Sequence, residues 1–199
     1  MIWNDLSTIE ELTTPTNSKY PISKIIEGYS TDADIEKRSP LFQIVRFVNS
    51  GKAQSAIESR GPSGRTPLLE AAANGHAEVV RLLVSKGANA DCVSVSPEDR
   101  EDTACHLAAR RGHVDVVRVL LNKRPTLCQE RNKLGQTPLH VACSKGYLPI
   151  VRLLLGRGAC INERDAKGRT PLVLAQKAGK KNEAEAVVKL LEQKLKKKK

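Results

Sequence analysis

Aromatic residues are scarce: the 199-residue chain has one Trp, three Tyr and two Phe, 3% of its length. That leaves few rings on which bases could stack, and the apolar interior must come from alanine, valine and leucine. No apolar run approaches the ~18–20 residues of a membrane-spanning helix, so no membrane insertion is expected. The opening MIWNDLSTIEEL has no basic stretch followed by an apolar core, so it does not read as a secretory leader. The five cysteines (Cys92, Cys105, Cys128, Cys143 and Cys160) are odd in number and not closely paired. Reduced thiols in an intracellular protein, cytoplasmic or nuclear, are the plain expectation. No Cys/His spacing fits a zinc site, no glycine loop of the P-loop kind is present, and no Ser/His/Asp set can be assembled. The reading is therefore of no enzyme, no metal and no cofactor.

What the chain does have is self-similarity. It reads TPLLEAAANGHAEVVRLLVSKGANA from Thr66, TACHLAARRGHVDVVRVLL from Thr103, TPLHVACSKGYLPIVRLLLGRGACIN from Thr137 and TPLVLAQKAG from Thr170, giving steps of 37, 34 and 33 residues. In the third copy, Thr137 suits an N-cap and Pro138 the first helical position, where a missing N–H costs nothing. Gly146 ends that helix, because only glycine enters the left-handed region without penalty. A second helix carries Ile150, Val151, Leu153, Leu154 and Leu155 and stops at Gly158. Asn162 to Gly168 then suits a projecting turn. One such helix pair cannot bury both faces, so stacking must do it. The pairs Leu82/Leu83, Leu120/Leu121, Leu153/Leu154 and Leu190/Leu191 read as core, each buried leucine contributing roughly 1.5–3 kcal/mol.

The period and the TPLH opening resemble the ankyrin repeat. The resemblance implies an all-α helical solenoid with projecting β-turn or hairpin loops. It gives four repeats over 65–195 (about 65–97, 98–131, 132–164 and 165–195). Before them stand a partly helical extension at 1–38 and a truncated capping unit at 39–64, opened by SPLFQIVRFVNSG. Residues 196–199 read as a frayed lysine tail. His106 and His140 hold the TPLH position and His76 and His113 follow turn glycines, so the resemblance gives all four a structural duty. It also marks Asn162 as a possible substrate of asparaginyl hydroxylases, with Ile161 before it and Leu154 eight residues upstream; the plainer reading is a turn residue.

Three departures stand out. The connection from Asp91 to Asp102 is four residues long in excess, is acidic, and has Glu101 in place of the turn glycine. It reads either as a tolerated extension or as a contact or modification loop offering Ser94 or Ser96. Arg124-Pro125 replaces the second copy's glycine stop. The last copy has about four extra residues before its second helix, which is expected to lengthen and run to about Leu195.

Net charge is +11. Residues 1–38 hold four basic and seven acidic groups, −3, which leaves +14 for the remainder. Such a body invites acidic partners. The resemblance implies binding through a concave face made of turns and first helices. Carried across one at a time, its variable positions are Arg65, Asn74 and Lys86; Asp102, Arg110, Arg111 and Lys123; Lys133, Gln136, Ser144, Lys145 and Arg157; Lys167, Arg169 and Lys177. The expectation is a monomeric, non-catalytic interaction module, an adaptor or scaffold that holds an acidic protein segment on that basic face. The alternative is a nuclear, nucleic-acid-associated regulatory factor using the groove and the lysine-rich end.

Overall fold

The computed structural model describes residues 57–61, 63–179 and 183–196. Four helix pairs follow one another: α1 (Pro67–Asn74) with α2 (Ala77–Ser85), α3 (Ala104–Arg111) with α4 (Val114–Lys123), α5 (Pro138–Lys145) with α6 (Leu148–Gly156), and α7 (Pro171–Ala178) with α8 (Ala184–Lys196). A short 3-10 turn, Pro125–Cys128, follows α4. Among the described residues there is no sheet; an isolated antiparallel bridge joins Val93 and Thr103.

Each first helix starts on a threonine in extended geometry: Thr66, Thr103, Thr137 and Thr170. At Thr103 and Thr137 the cap is reciprocal. The threonine hydroxyl accepts the backbone N–H three residues on, and the histidine ring there accepts the threonine N–H. The histidine so fills the role usually taken by Glu or Gln in a capping box.

The first helices form one layer: α1 packs on α3, α3 on α5 and α5 on α7. Their small side chains allow it. Ala71, Ala72, Ala73, Ala108, Ala109, Ala142 and Cys143 are fully buried. The second helices form the outer layer, and α8 leans on both α5 and α6. Turns between paired helices interlock from one pair to the next. A Cβ added at Gly75 would come within 2.6 Å of the His113 ring, and one at Gly112 within 3.0 Å of Tyr147. Both glycines also have positive φ, so geometry and space demand the same residue there. His113 Nε2–H donates to Ala73 O across that interface.

Leu83, Leu120, Leu121, Leu154 and Leu191 are fully buried. Leu82, Leu153 and Leu190 are only partly buried, which corrects the reading of every leucine pair as wholly core. In three of the four pairs the second leucine faces the stack and the first lies at its edge.

Lys123 ends α4, and Arg124 turns to φ −140°, ψ 89° ahead of Pro125, away from the helical region that a following proline disfavours. In the last pair the second helix runs from Ala184 to Lys196, close to the expected end near Leu195. α8 is long, at 13 residues, because it continues past Leu191 to Lys196. The partly helical extension expected at 1–38, most of the unit at 39–64, and the tail beyond 196 lie outside the described residues.

Candidate partner-binding face

Between helix pairs the chain projects as turns, and the turns lean on one another through the backbone. Val95 N–H donates to Gly64 O, Lys133 N–H to Arg100 O and Ala166 N–H to Leu134 O. The turns leading into α5 and α7 are each braced from within by an amide or acid. Asn132 Oδ1 accepts the N–H groups of Leu134 and Gln136. Asp165 Oδ1 accepts those of Lys167 and Arg169. His106 Nε2–H donates to Gln136 O, and His140 Nε2–H to Glu163 O and Arg169 O, so the cap histidines tie the helices to the turns. Burial holds both rings below their ordinary pKa of 6.5, consistent with a neutral ring that donates from one nitrogen and accepts at the other.

These bonds decide which cations are available. Arg65 makes a two-pronged pair with Asp99 (2.6 and 2.7 Å) and a longer contact with Glu70. Arg110 reaches back along α3 to the fully buried Asp102 at 2.5 Å, as helix side chains lean toward the N-terminus. Asp102 also accepts from Asn132 Nδ2 at 2.7 Å. Arg169 grips Asp165 at 2.6 Å. Burial alone would raise the Asp165 pKa, but Arg169 and the two N–H donors outweigh it and push it down to about 2.

The fifteen candidate positions therefore separate by placement. Asp102 and Gln136 are buried and brace turns. Arg65, Arg110 and Arg169 are tied to internal acids. Asn74 donates to Glu70, Ser144 to Val141 O of its own helix, and Arg157 to Asn122. Lys133 meets Glu101 at 3.3 Å with both side chains exposed. Lys86, Lys123, Arg111, Lys145, Lys167 and Lys177 are exposed. Lys86 and Lys123 sit at the ends of outer helices. Arg111, Lys145 and Lys177 stand together at the ends of first helices, and Lys133 and Lys167 on the turns. Lys177 occupies the place of Arg110 rather than that of Arg111, one residue nearer its cap threonine. Asn162 lies exposed in a turn.

The sequence reading missed the internal acids. Glu70 stands where the other copies have Leu107, Val141 and Leu174; it is buried and accepts from Ser63, Arg65 and Asn74. A charge in an apolar file was the available signal. Exposed Arg100, at the tip of the acidic connection, was also missed. Ser94 is corrected as a modification candidate: it is fully buried and donates to Asp99 at 2.6 Å. Among the described residues no group of three or more His, Cys, Asp or Glu side chains could hold a metal, and no helix is long and apolar enough to cross a membrane.

A family model for ankyrin repeats, in three copies, matches residues 36–129, 87–165 and 125–199. The chain is 38% identical over 96 residues to human ankyrin repeat and KH domain-containing protein 1, covering 48% of this chain and 4% of that protein. It is 40% identical over 82 residues to mouse ankyrin repeat domain-containing protein 17, covering 41% of this chain and 3% of that protein. The Drosophila melanogaster ankyrin repeat and KH domain-containing protein mask matches at 37% over 83 residues, 42% of this chain and 2% of that protein. The chain thus spans only a few per cent of the length of these relatives.

Proposed function

The chain belongs to the ankyrin-repeat family, a scaffold for protein–protein contact, and from that premise we propose that it holds an acidic protein segment on the face made by its first helices and turns. The observation that carries this reading is the set of cations exposed at the ends of the first helices and on the turns. The acids of the turns neutralise Arg65, Arg110 and Arg169. Arg111, Lys145 and Lys177 are exposed at the ends of the first helices, and Arg100 and Lys167 on the turns.

Like charges gathered on one surface attract a complementary chain and speed its encounter. Each exposed pair contributes only ~0–1 kcal/mol, so affinity must come from several together and weaken with salt. Arg110 is a poor residue for testing this, because reversing it would leave buried Asp102 without its partner. Arg111→Glu with Lys145→Glu avoids that fault. The two variants together should slow association with acidic peptides selected from a library, at unchanged helicity and melting temperature. Duplex and single-stranded nucleic acid form the second arm, since salt dependence alone does not separate the two ligand classes. Unchanged peptide association in the double variant, or tighter binding of nucleic acid than of any peptide, defeats the proposal.

A further inference from the structure

The outer surface carries one exposed cation per repeat at a fixed place: Arg81 on α2, Arg118 on α4, Arg152 on α6 and Lys189 on α8. On α2 and α4 an acid three residues earlier answers it. Glu78 meets Arg81 at 3.3 Å and Asp115 meets Arg118 at 3.8 Å. On α6 that place is Pro149, and on α8 it is Ala186. The outer helices of the first two repeats carry an acid at that place and those of the last two do not; α8 keeps exposed Glu185 and Glu192 at other places.

A groove opens on this half of the outer face, and neither Glu185 nor Glu192 lines it. It runs between α6 and α8 and is lined by Arg152, Leu155, Gly156, Leu190 and Lys194. Gly156 lies four residues after Arg152; the matching places on α2 and α4 are Ser85 and Asn122. A Cβ at Gly156 would meet no atom within 4 Å, so neither packing nor φ requires glycine there. Glycine inside a helix costs roughly 0.5–1 kcal/mol relative to alanine. Its effect here is to leave the floor of the groove open. Partly buried Leu155 and Leu190 supply aliphatic walls, and exposed Arg152 and Lys194 supply a cation on each helix.

We propose that this groove is a second docking site, separate from the first-helix face, for an acidic peptide segment bearing one aliphatic side chain between carboxylates. The aliphatic group enters over Gly156 against Leu155 and Leu190. The flanking carboxylates pair with Arg152 and Lys194. Charge complementarity selects an acidic ligand, and aliphatic walls without a ring to stack a base select peptide over nucleic acid.

The test uses the whole chain, isotope-labelled, titrated with the peptide Glu-Glu-Leu-Glu-Glu and followed by amide shifts. Shifts should centre on Leu155, Gly156 and Leu190. Arg152→Glu with Lys194→Glu should weaken binding there at least tenfold, and Gly156→Leu should abolish it while the melting temperature holds or rises. Arg111→Glu with Lys145→Glu should leave it within twofold, which separates this site from the first-helix face. If Gly156→Leu unfolds the chain, the charge-reversal pair decides alone. Shifts confined elsewhere, equal binding of Glu-Glu-Ser-Glu-Glu, or stronger occupation of the groove by an oligonucleotide or by phosphatidylserine vesicles overturns the proposal.

Discussion

Two connections do the same work with different chemistry. The one leading into α5 uses Asn132 to collect the turn's N–H groups and Gly135, at φ +66°, to make the reversal. The one leading into α3 has no glycine at the reversal. Arg100 and Glu101 both take left-handed geometry, φ 56° and 60°. Such geometry costs a non-glycine residue ~1–2 kcal/mol. It persists because buried acids pin both sides: Asp99 on Arg65 and Ser94, Asp102 on Arg110 and Asn132. Ion pairs anchored in neighbouring repeats impose by force what glycine permits for free. The acidic insertion is thereby a bracket joining the first three repeats, with Asp99 and Asp102 turned inward and Glu98 and Glu101 exposed.

The sharpest way to break that comparison is Asp102→Ala. It leaves Arg110 and Asn132 facing an emptied site, and removing one partner of a buried pair costs about 3–5 kcal/mol. Because Arg110 keeps some access to water, the lower end of that range is expected in urea unfolding. Leu154→Ala supplies the benchmark of a purely apolar loss, about 2–5 kcal/mol, with half-buried Leu153→Ala well below it by the same measurement. Similar losses for both leucines would contradict their different burial.

Acid should act on the connections into α5 and α7, which His106 and His140 tie down. His76, His106 and His140 are all held below 6.5, with burial as the leading cause. The unfolded chain then binds protons that the native chain does not. Stability is full above about pH 6.5 and falls as pH drops below it. Asp165 adds a second loss between its ordinary 3.8 and about 2, since its native form resists protonation. A melting temperature flat from pH 7 to pH 5 would contradict the histidine part.

Gly135→Ala should cost about 1–3 kcal/mol, from left-handed strain and from a Cβ placed 2.8 Å from the Ala166 backbone nitrogen. The reciprocal change, Glu101→Gly, should raise stability slightly, by up to about 1 kcal/mol. It relieves strain and gives up only an exposed pair with Lys133. A loss there would mean that Glu101 does more than occupy a glycine's place.

The repeat architecture was legible because its signals are local and recur in register. Threonine caps, Pro138, Gly146 and the buried leucines announce helix starts, stops and faces through short-range rules. Glu101 in place of glycine was legible too, as a departure from that register. The leucine pairs were half legible, since sequence spacing cannot say which member points into the stack. The candidate binding face was legible as a count of cations and misleading as a map. Arg65 and Arg111 look alike in sequence, yet one is clamped by an acid 34 residues away and the other is exposed.

Sequence by itself determined the helices, their caps and their order, because helix propensity, capping and left-handed turns act over a few residues. Tertiary structure alone decided which charges are internal. A pair such as Arg65 and Asp99 exists only when stacking brings two turns together, and burial then holds both charges in one another's service.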